Sequence, residues 1–500
     1  MNIININLES LTKLRDVNER LMSYNIEMTE VTGGTFWKAY TPKQVSGEEE
    51  FPPLDSKNFM QAMANIMQVY PPIDTHNERL IKLAKEFGPV WVRVSGTWST
   101  KTYYDFDGKG VPEGYQNVLT KQQWYNLLDF VKAVGAKLLI SVANCEGLHK
   151  ASEPWNPSQA EQIFKLSEEY GVPVSAAEFM NEPNILEYSG SPRGYTKEQY
   201  IRDQDLFNAW VKENYPDCLI VGPCTVAMEM GDKSKQSASG GIVSMFGNSL
   251  STDELIEGSK VPFDVYSYHY YNGISDRLAS VMPSMHWSPD KTLSEDYLAV
   301  APNSALMNTA ARDKYVPGGE MWVTESGDAG GGGDTWASTY MEVFRTLNEL
   351  GTFVTITDGV IFHNTLASSA YGFLEHGTFV PRPNYFAVLL WTRLMGNTVY
   401  DSKEEIREGA HVFAHSRKDG KDGVAYLVIN NSHTESTTIN LPKEAEVYEL
   451  HADHIRSQVM KLNGRELVLG ENDELPDLSP VKVQAGAFEL KPERIAFIVL

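Results

Sequence analysis

Basic residues, cysteines and long apolar runs are all scarce in this 500-residue chain. Its 43 lysines and arginines stand against 66 aspartates and glutamates, which gives a formal net charge of -23. A surface of that sign repels phosphate backbones and anionic lipids, so neither nucleic acid nor a membrane is an expected partner. Three cysteines, Cys145, Cys218 and Cys224, are too few for a disulfide scaffold and are predicted to be buried thiols.

Targeting and metal-binding signals are also missing from the sequence. The first residues show no basic segment followed by an apolar one, and no apolar run approaches the ~20 residues that span a bilayer. We therefore expect a cytoplasmic protein, with secretion left open if an export signal has been removed. The 11 histidines are scattered without a zinc-like spacing, so we predict neither a metal nor a cofactor.

Eight short apolar runs alternate with helix-like stretches over about 360 residues. Uniformly apolar runs of this length are typical of strands buried on both faces of a parallel sheet. The alternation predicts an α/β fold, a (β/α)8 barrel, rather than an open doubly wound sheet, whose Gly-x-Gly-x-x-Gly turn is missing after the first run. The runs cover residues 21–28, 90–96, 137–144, 174–183, 218–224, 265–271, 321–327 and 359–365.

Helical spacing of apolar residues fills several of the intervals. It predicts helices after Thr120, after Pro157, near residues 200–211 and from about Thr335 to Gly351. Past about residue 400 the segments become short and β-rich, with turn signals between them, which predicts an antiparallel β-sandwich. We therefore divide the chain into residues 1–15, a strand joining that sandwich, residues 16–395, the barrel, and residues 396–500, the sandwich.

Two glutamates come at the ends of predicted barrel strands. Glu182 lies in the Asn-Glu-Pro sequence that ends the fourth run, and Glu325 ends the seventh. Chemistry in such barrels lies at the carboxyl ends of the strands, where strands four and seven face each other. Two carboxyl groups in one cavity, one protonated and one ionised, are what glycoside hydrolysis needs. We expect them about 5–5.5 Å apart, the spacing of a retaining enzyme.

Several segments resemble the heparanase and β-glucuronidase family, glycoside hydrolase family 79, within the large clan of retaining (β/α)8 glycosidases. The glycine run six residues past Glu325 is the most family-specific of them, whereas Asn-Glu-Pro marks only the clan. The matching segments are residues 92–97, 178–184, 268–272, Glu325 with glycines 330–333, 370–372 and 383–385.

The resemblance implies roles for individual residues. Glu182 would be the acid/base, Glu325 the nucleophile, and Tyr270 would hydrogen-bond the nucleophile. Backbone N–H groups of the glycine run would bind a sugar carboxylate, which glycine permits because no side chain blocks the approach. The other implied substrate contacts are Asn181, Gly331, Gly332, Tyr371, Thr97, Glu27, Asn144 and His269.

The function that these residues imply is that of a retaining exo-β-glucuronidase acting on small-molecule or oligosaccharide β-glucuronides. The acidic chain favours a small aglycone or an uncharged oligosaccharide. Three alternatives stay open: another retaining β-glycosidase of the clan, such as a β-xylosidase, an endo-acting enzyme like heparanase or hyaluronidase, and a carbohydrate-binding protein without turnover.

Overall fold

A computed structural model describes residues 2–54, 58–226 and 249–500 of the chain. Eight parallel strands form a closed barrel in which each strand pairs with the next along the chain and the eighth pairs with the first. The predicted (β/α)8 fold is thereby confirmed, and all eight apolar runs contain a barrel strand. In order, the strands are Met22–Glu27, Trp91–Ser95, Lys137–Ser141, Val174–Glu178, Leu219–Thr225, Val265–Ile274, Met321–Gly330 and Ile361–His363.

Helices surround the barrel and connect its strands. The helix Lys121–Val134 has the predicted start and stop: Thr120 caps it with Gln123 in a reciprocal box, and Gly135 ends it in the left-handed conformation. The α-helices are Met28–Thr32, Pro42–Ser46, Phe59–Asn65, Glu78–Lys85, Lys121–Val134, Ser158–Glu169, Lys197–Asn214, Thr252–Ile256, Glu295–Leu298, Val300–Tyr315, Tyr340–Ile356 and Pro383–Leu394. Short 3₁₀ helices cover Ser99–Lys101, Pro183–Ile185, Pro283–Met285 and Pro289–Lys291.

The helix predicted from Thr335 to Gly351 is displaced in the structure to Tyr340–Ile356. It begins late because Thr339, and not Thr335, caps its first turn. It continues through Gly351, where the glycine packs closely on Phe413: a Cβ on Gly351 would lie 2.4 Å from that ring. A glycine required for close packing inside a helix was thus mistaken for a stop signal.

Two antiparallel-rich sheets pack against each other beside the barrel. The larger contains, in order, Thr12–Asp16, Met395–Asp401, His411–Arg417, Val424–Asn430, Arg494–Val499, Ala445–His451, Lys461–Leu462 and Arg465–Glu466, with Val481–Val483 on Ala445–His451. The smaller contains Asn2–Asn5, Thr437–Leu441 and Gly486–Leu490, the first two in parallel. Two further pairs, Gly34–Trp37 with Met67–Tyr70 and Thr102–Asp105 with Asn117–Thr120, lie among the barrel loops.

The strand Val424–Asn430 is buried on both faces and contributes to two apolar clusters. Val424, Tyr426 and Val428 pack toward the smaller sheet, whereas Leu427 and Ile429 belong to the apolar core that also contains the barrel helices. This alternation follows from the two-residue period of a strand. Among the described residues, no helix is both long and apolar enough to cross a membrane.

Candidate active site

Glu182 and Glu325 share one cavity at the carboxyl ends of the barrel strands. Glu182 follows the fourth strand in the left-handed backbone conformation, with a φ of 48°, and its N–H donates to the carbonyl of Cys224 at 3.1 Å. Glu325 lies within the seventh strand. A carboxylate oxygen of Glu182 lies within 4.8 Å of one of Glu325. The two carboxyl groups are therefore close neighbours, as in a retaining enzyme.

His269 lies between the two glutamates. The sheet register places it opposite Glu325 on the neighbouring strand. Its Nδ1 is 3.0 Å from Oε1 of Glu182 and 3.5 Å from Oε2 of Glu325, and its side chain is fully buried. His269, predicted as a substrate contact, therefore lies as a link between the two carboxyl groups.

The surroundings of Glu325 favour its ionised form. Burial alone would raise the pKa of Glu325, but His269, Arg93 and Tyr271 together outweigh burial and lower that pKa. Arg93 Nη1 donates to Oε1 at 3.0 Å, and the Tyr271 hydroxyl donates to Oε2 at 2.8 Å. A carboxylate held ionised in this way is suited to act as a nucleophile.

The surroundings of Glu182 favour its protonated form. Burial is the main cause that raises the pKa of Glu182, and the negative charge of Glu325 adds to it, against a hydrogen bond from His269. The two carboxyl groups thus have their pKa values shifted in opposite directions, the arrangement that lets one act as an acid beside an ionised neighbour.

The prediction that Tyr270 hydrogen-bonds the nucleophile is wrong by one residue. The Tyr270 hydroxyl donates to Asn272, and Tyr271 makes the contact with Glu325. Neighbouring side chains of a strand point to opposite faces, so His269 and Tyr271 face the barrel interior and Tyr270 faces the surrounding helices. The pairing of this strand with the seventh strand shifts by one residue between Tyr268 and His269: Tyr268 pairs with Val323, and His269 pairs with Glu325.

Tyr271→Phe is expected to lower kcat about 10- to 100-fold, because a hydrogen bond to a charged acceptor is lost. It should also move the acid limb of the pH profile to higher pH, since that hydrogen bond lowers the pKa of Glu325. Tyr270→Phe is the matched control and should change neither kcat nor the limb. Initial rates between pH 3 and 9 measure kcat and the position of the acid limb. Equal effects of the two substitutions would contradict the assignment of Tyr271 as the donor to Glu325.

Sequence reasoning missed the role of Arg93. Its guanidinium is completely buried and donates to Glu178 through Nη2 at 2.6 Å, to Asn181 at 2.8 Å and to Glu325. The arginine therefore fixes the Asn181 amide oxygen and leaves the Asn181 nitrogen to face the cavity. An arginine within an otherwise apolar strand was the available signal, because a buried guanidinium requires carboxylate partners.

The cavity, of about 340 Å³, gathers most of the other predicted contacts. Its size lies in the range of small-ligand sites. Predicted residues among its lining are Glu27, Thr97, Asn181, Gly331 and Tyr371. Asn364, which no motif indicated, donates to the hydroxyl oxygens of Tyr271 and Tyr371 at 3.0 and 3.2 Å. The proton of Tyr371 is thereby left for a further acceptor in the cavity.

Besides His269, two more predicted contacts do not line this cavity. Asn144 is fully buried beneath it, with its amide oxygen 2.7 Å from His149 Nε2, so the side chain is used for packing the loop after the third strand. Gly332 lies behind the lining, and its carbonyl accepts from the N–H of Ala370. Of the glycine run, Gly330 and Gly331 line the cavity.

The glycine run adopts a backbone that only glycine tolerates well. Gly331, Gly332 and Gly333 have φ values of 88°, 88° and 80°, in the left-handed region. A Cβ on Gly332 would lie 2.6 Å from Trp37, which itself lines the cavity. Arg277 Nη1 donates to the carbonyls of Gly331 and Gly333 at 3.0 and 2.9 Å. Its charge makes this end of the cavity more favourable for an anion.

Two groups of described residues bring three possible metal ligands together: Glu182, His269 and Glu325, and Asp276, His286 and Asp334. In the second group, His286 Nε2 is 2.9 Å from Asp276. Burial lowers the pKa of His286, but Asp276 and Asp334 outweigh burial and raise this pKa to about 9. An imidazolium between two carboxyl groups needs no ion. The absence of a resident metal stays a prediction.

Known proteins with this sequence pattern include plant enzymes. Heparanase-like protein 1 of Arabidopsis thaliana is 24% identical over 485 residues, covering 86% of this chain and 85% of that protein. Baicalin-beta-D-glucuronidase of Scutellaria baicalensis is 24% identical over 477 residues, covering 86% and 84%. The resemblance to the heparanase and β-glucuronidase family is confirmed. No family model matches the chain.

Solved structures agree with the fold. A 4-O-alpha-L-rhamnosyl-beta-D-glucuronidase from Fusarium oxysporum 12S superposes with a TM-score of 0.63 over the full length of both chains at 12% identity. At that identity the likeness speaks for the architecture alone. The similarity to named glucuronidases, over most of the chain, makes this chain a glycoside hydrolase.

Proposed function

We propose that the chain is an exo-β-glucuronidase that releases terminal glucuronic acid with retention of configuration. The observation that carries the proposal is a cavity with two differently tuned carboxyl groups, beside a glycine loop backed by Arg277. Glu182 gives its proton to the glycosidic oxygen while Glu325 attacks the anomeric carbon, so the aglycone leaves as an alcohol. Water then attacks that carbon, Glu182 takes the proton of the water, and Glu325 is released as a carboxylate.

The glycine-loop end supports a sugar that carries a carboxylate. Gly330 and Gly331 line it together with Tyr371, whose hydroxyl already accepts from Asn364 and can donate its own proton. Within the described residues, the Gly331 N–H makes no hydrogen bond to a backbone carbonyl outside helices and strands. Backbone amides, a tyrosine hydroxyl and a nearby guanidinium are together a suitable environment for a carboxylate.

Apolar walls support removal of one terminal sugar at a time. Trp37 packs on Gly332, and the Leu278 side chain lies 3.1 Å from where a Cβ of Gly331 would be. Both side chains line the cavity behind the glycine loop. A chain that continued in this direction would have to displace them, which favours exo over endo action.

The test compares para-nitrophenyl β-glycosides with the same leaving group. The glucuronide is expected to exceed the glucoside, in which a hydroxymethyl group replaces the carboxylate, by about 100-fold or more in kcat/KM, because amides aimed at a carboxylate lose their partner. The xyloside has neither group and should be poorer still. A preference for the xyloside would defeat the proposal in favour of a β-xylosidase.

The remaining alternatives have their own readouts. Glucuronic acid should be the only early product from an oligosaccharide with a terminal β-glucuronide, whereas internal fragments would indicate an endo-acting enzyme. Binding of glucuronic acid without release of any aglycone from any aryl glycoside would make the chain a carbohydrate-binding protein.

A further inference from the structure

A second group of side chains lines the cavity on the side of Glu182. After the second barrel strand, Trp98 and the 3₁₀ turn Ser99–Lys101 that it precedes place the side chains of Trp98 and Lys101 in the cavity lining. The loop after Glu182 adds Tyr188, a residue that is 48% exposed. The aglycone must leave from the side of the acid, so these residues lie where the leaving group would be bound.

Contacts along the chain tie Lys101 to the loop that carries Glu182. Its aliphatic stem runs against Gly190, where a Cβ would lie 2.6 Å from Lys101 Cγ. The Ser189 hydroxyl of the same loop donates to the Glu182 carbonyl at 2.7 Å. The Lys101 backbone is held by hydrogen bonds with Trp98 and Gln116 at 3.1 and 3.0 Å. Lys101 therefore has a fixed position relative to the acid.

The charge of Lys101 has no acidic partner among the described residues. No ion pair joins its Nζ to a carboxylate of these residues, and Nζ is instead 4.6 Å from the centre of the Trp98 ring. Lys101 is the single basic residue among the lining residues that the structure describes, beside the three carboxyl groups of Glu27, Glu182 and Glu325. Arg93, beneath the cavity, is already paired with Glu178 and Glu325. Lys101 is partly buried, and an ammonium group that is partly removed from water without a partner carboxylate gains from pairing with an anionic ligand.

We propose that Trp98, Lys101 and Tyr188 form a leaving-group subsite that selects aglycones with an aromatic or sugar ring bearing a negative charge. The proposal rests on the proposed β-glucuronidase function and adds the substrate class to it. The rings supply flat apolar surfaces for the aglycone, and the ammonium group pairs with its anion. The acidic net charge of the chain weakens encounter with long polyanions, whereas a single anion placed at Lys101 interacts at short range.

The experiment uses two substrates that differ only in charge: the β-glucuronide of para-hydroxyphenylpropionic acid and that of its methylamide. Two methylene groups separate the charge from the ring, so the two phenols leave with nearly equal ease. The measured quantity is the ratio of kcat/KM for the acid to kcat/KM for the amide. The ratio is taken within each variant, so it is independent of the fraction of folded enzyme.

The wild type is expected to prefer the acid, and Lys101→Met should lower the ratio about tenfold, as expected for loss of one partly solvated ion pair. Lys101→Arg should keep most of the preference, and added salt should weaken it in the wild type. Lys121→Met is the matched control, because Lys121 also lies over a ring, that of Tyr125, on an exposed helix outside the cavity. Its ratio should equal that of the wild type.

A wild-type ratio of one, or an equal loss on both substrates in Lys101→Met, would overturn the subsite while leaving the β-glucuronidase in place. Failure of the wild type to cleave either glucuronide would overturn the proposed function itself. The two failures are therefore distinguishable in one set of assays.

Discussion

Glu325→Gln is expected to lower kcat on an aryl β-glucuronide by about 10⁴-fold or more, because removing the attacking group abolishes the covalent route. Substrate should still bind, since the amide keeps the shape of the side chain and the glycine loop is untouched. Rates with a fluorescent glucuronide, together with KM or a binding constant, separate loss of turnover from loss of binding.

Glu320→Gln is the matched control for this substitution. Glu320 immediately precedes the same strand but lies at its amino end, where it accepts a hydrogen bond from Trp322, so activity should stay within about twofold. Azide gives a second readout. In Glu325→Ala it can enter the vacated space and attack the anomeric carbon directly, producing an α-glycosyl azide. A fully active Glu325→Gln enzyme would remove the nucleophile assignment.

Glu182→Gln is expected to lower kcat by about 10²–10⁴-fold on substrates with poorly leaving aglycones, the usual contribution of a general acid. The loss in the first chemical step should shrink for an acidic phenol, which needs little protonation to leave. Azide should restore turnover in Glu182→Ala by attacking the glycosyl-enzyme, and the product should then be the β-glycosyl azide. An α-product from this variant would exchange the roles of the two glutamates.

The pH profile of the wild type tests the same assignment. Glu325 acts as a carboxylate and its pKa is lowered, so activity should be lost as pH falls through that pKa. Glu182 acts protonated and its pKa is raised, so activity should be lost as pH rises through that pKa. The enzyme is therefore expected to be active at pH values between the pKa of Glu325 and the pKa of Glu182. Glu182→Gln should lose the alkaline limb of the profile. An alkaline limb unchanged by Glu182→Gln would assign that limb to another group.

The barrel was predictable from sequence because parallel strands buried on both faces leave uninterrupted apolar runs. The position of a side chain around a strand was less predictable. Two adjacent tyrosines, Tyr270 and Tyr271, look alike in sequence, and only the strand register decides which one faces Glu325. Asn144 illustrates the same limit, because its strand ends at Ser141 and the following loop turns the amide toward His149.

Charge was predictable as a total but not as a distribution. The net charge of -23 indicates the sign of the surface and nothing about individual sites. Arg93 and Lys101 come from the second barrel strand and the turn after it, Arg277 comes from a distant part of the chain, and the fold brings all three near the cavity that holds three carboxyl groups. The pKa shifts of those carboxyl groups depend on distances of a few ångströms, which no spacing along the sequence reveals.

The closeness of Glu182 and Glu325 has a consequence for timing within one catalytic turn. The negative charge of Glu325 is one cause of the raised pKa of Glu182. When Glu325 becomes an ester of the sugar, that charge disappears, and the pKa of Glu182 must fall. The side chain that has just released a proton is thereby kept ionised until water arrives. The intermediate itself thus converts its neighbour from a proton donor into a proton acceptor, and hydrolysis of the ester resets the pair.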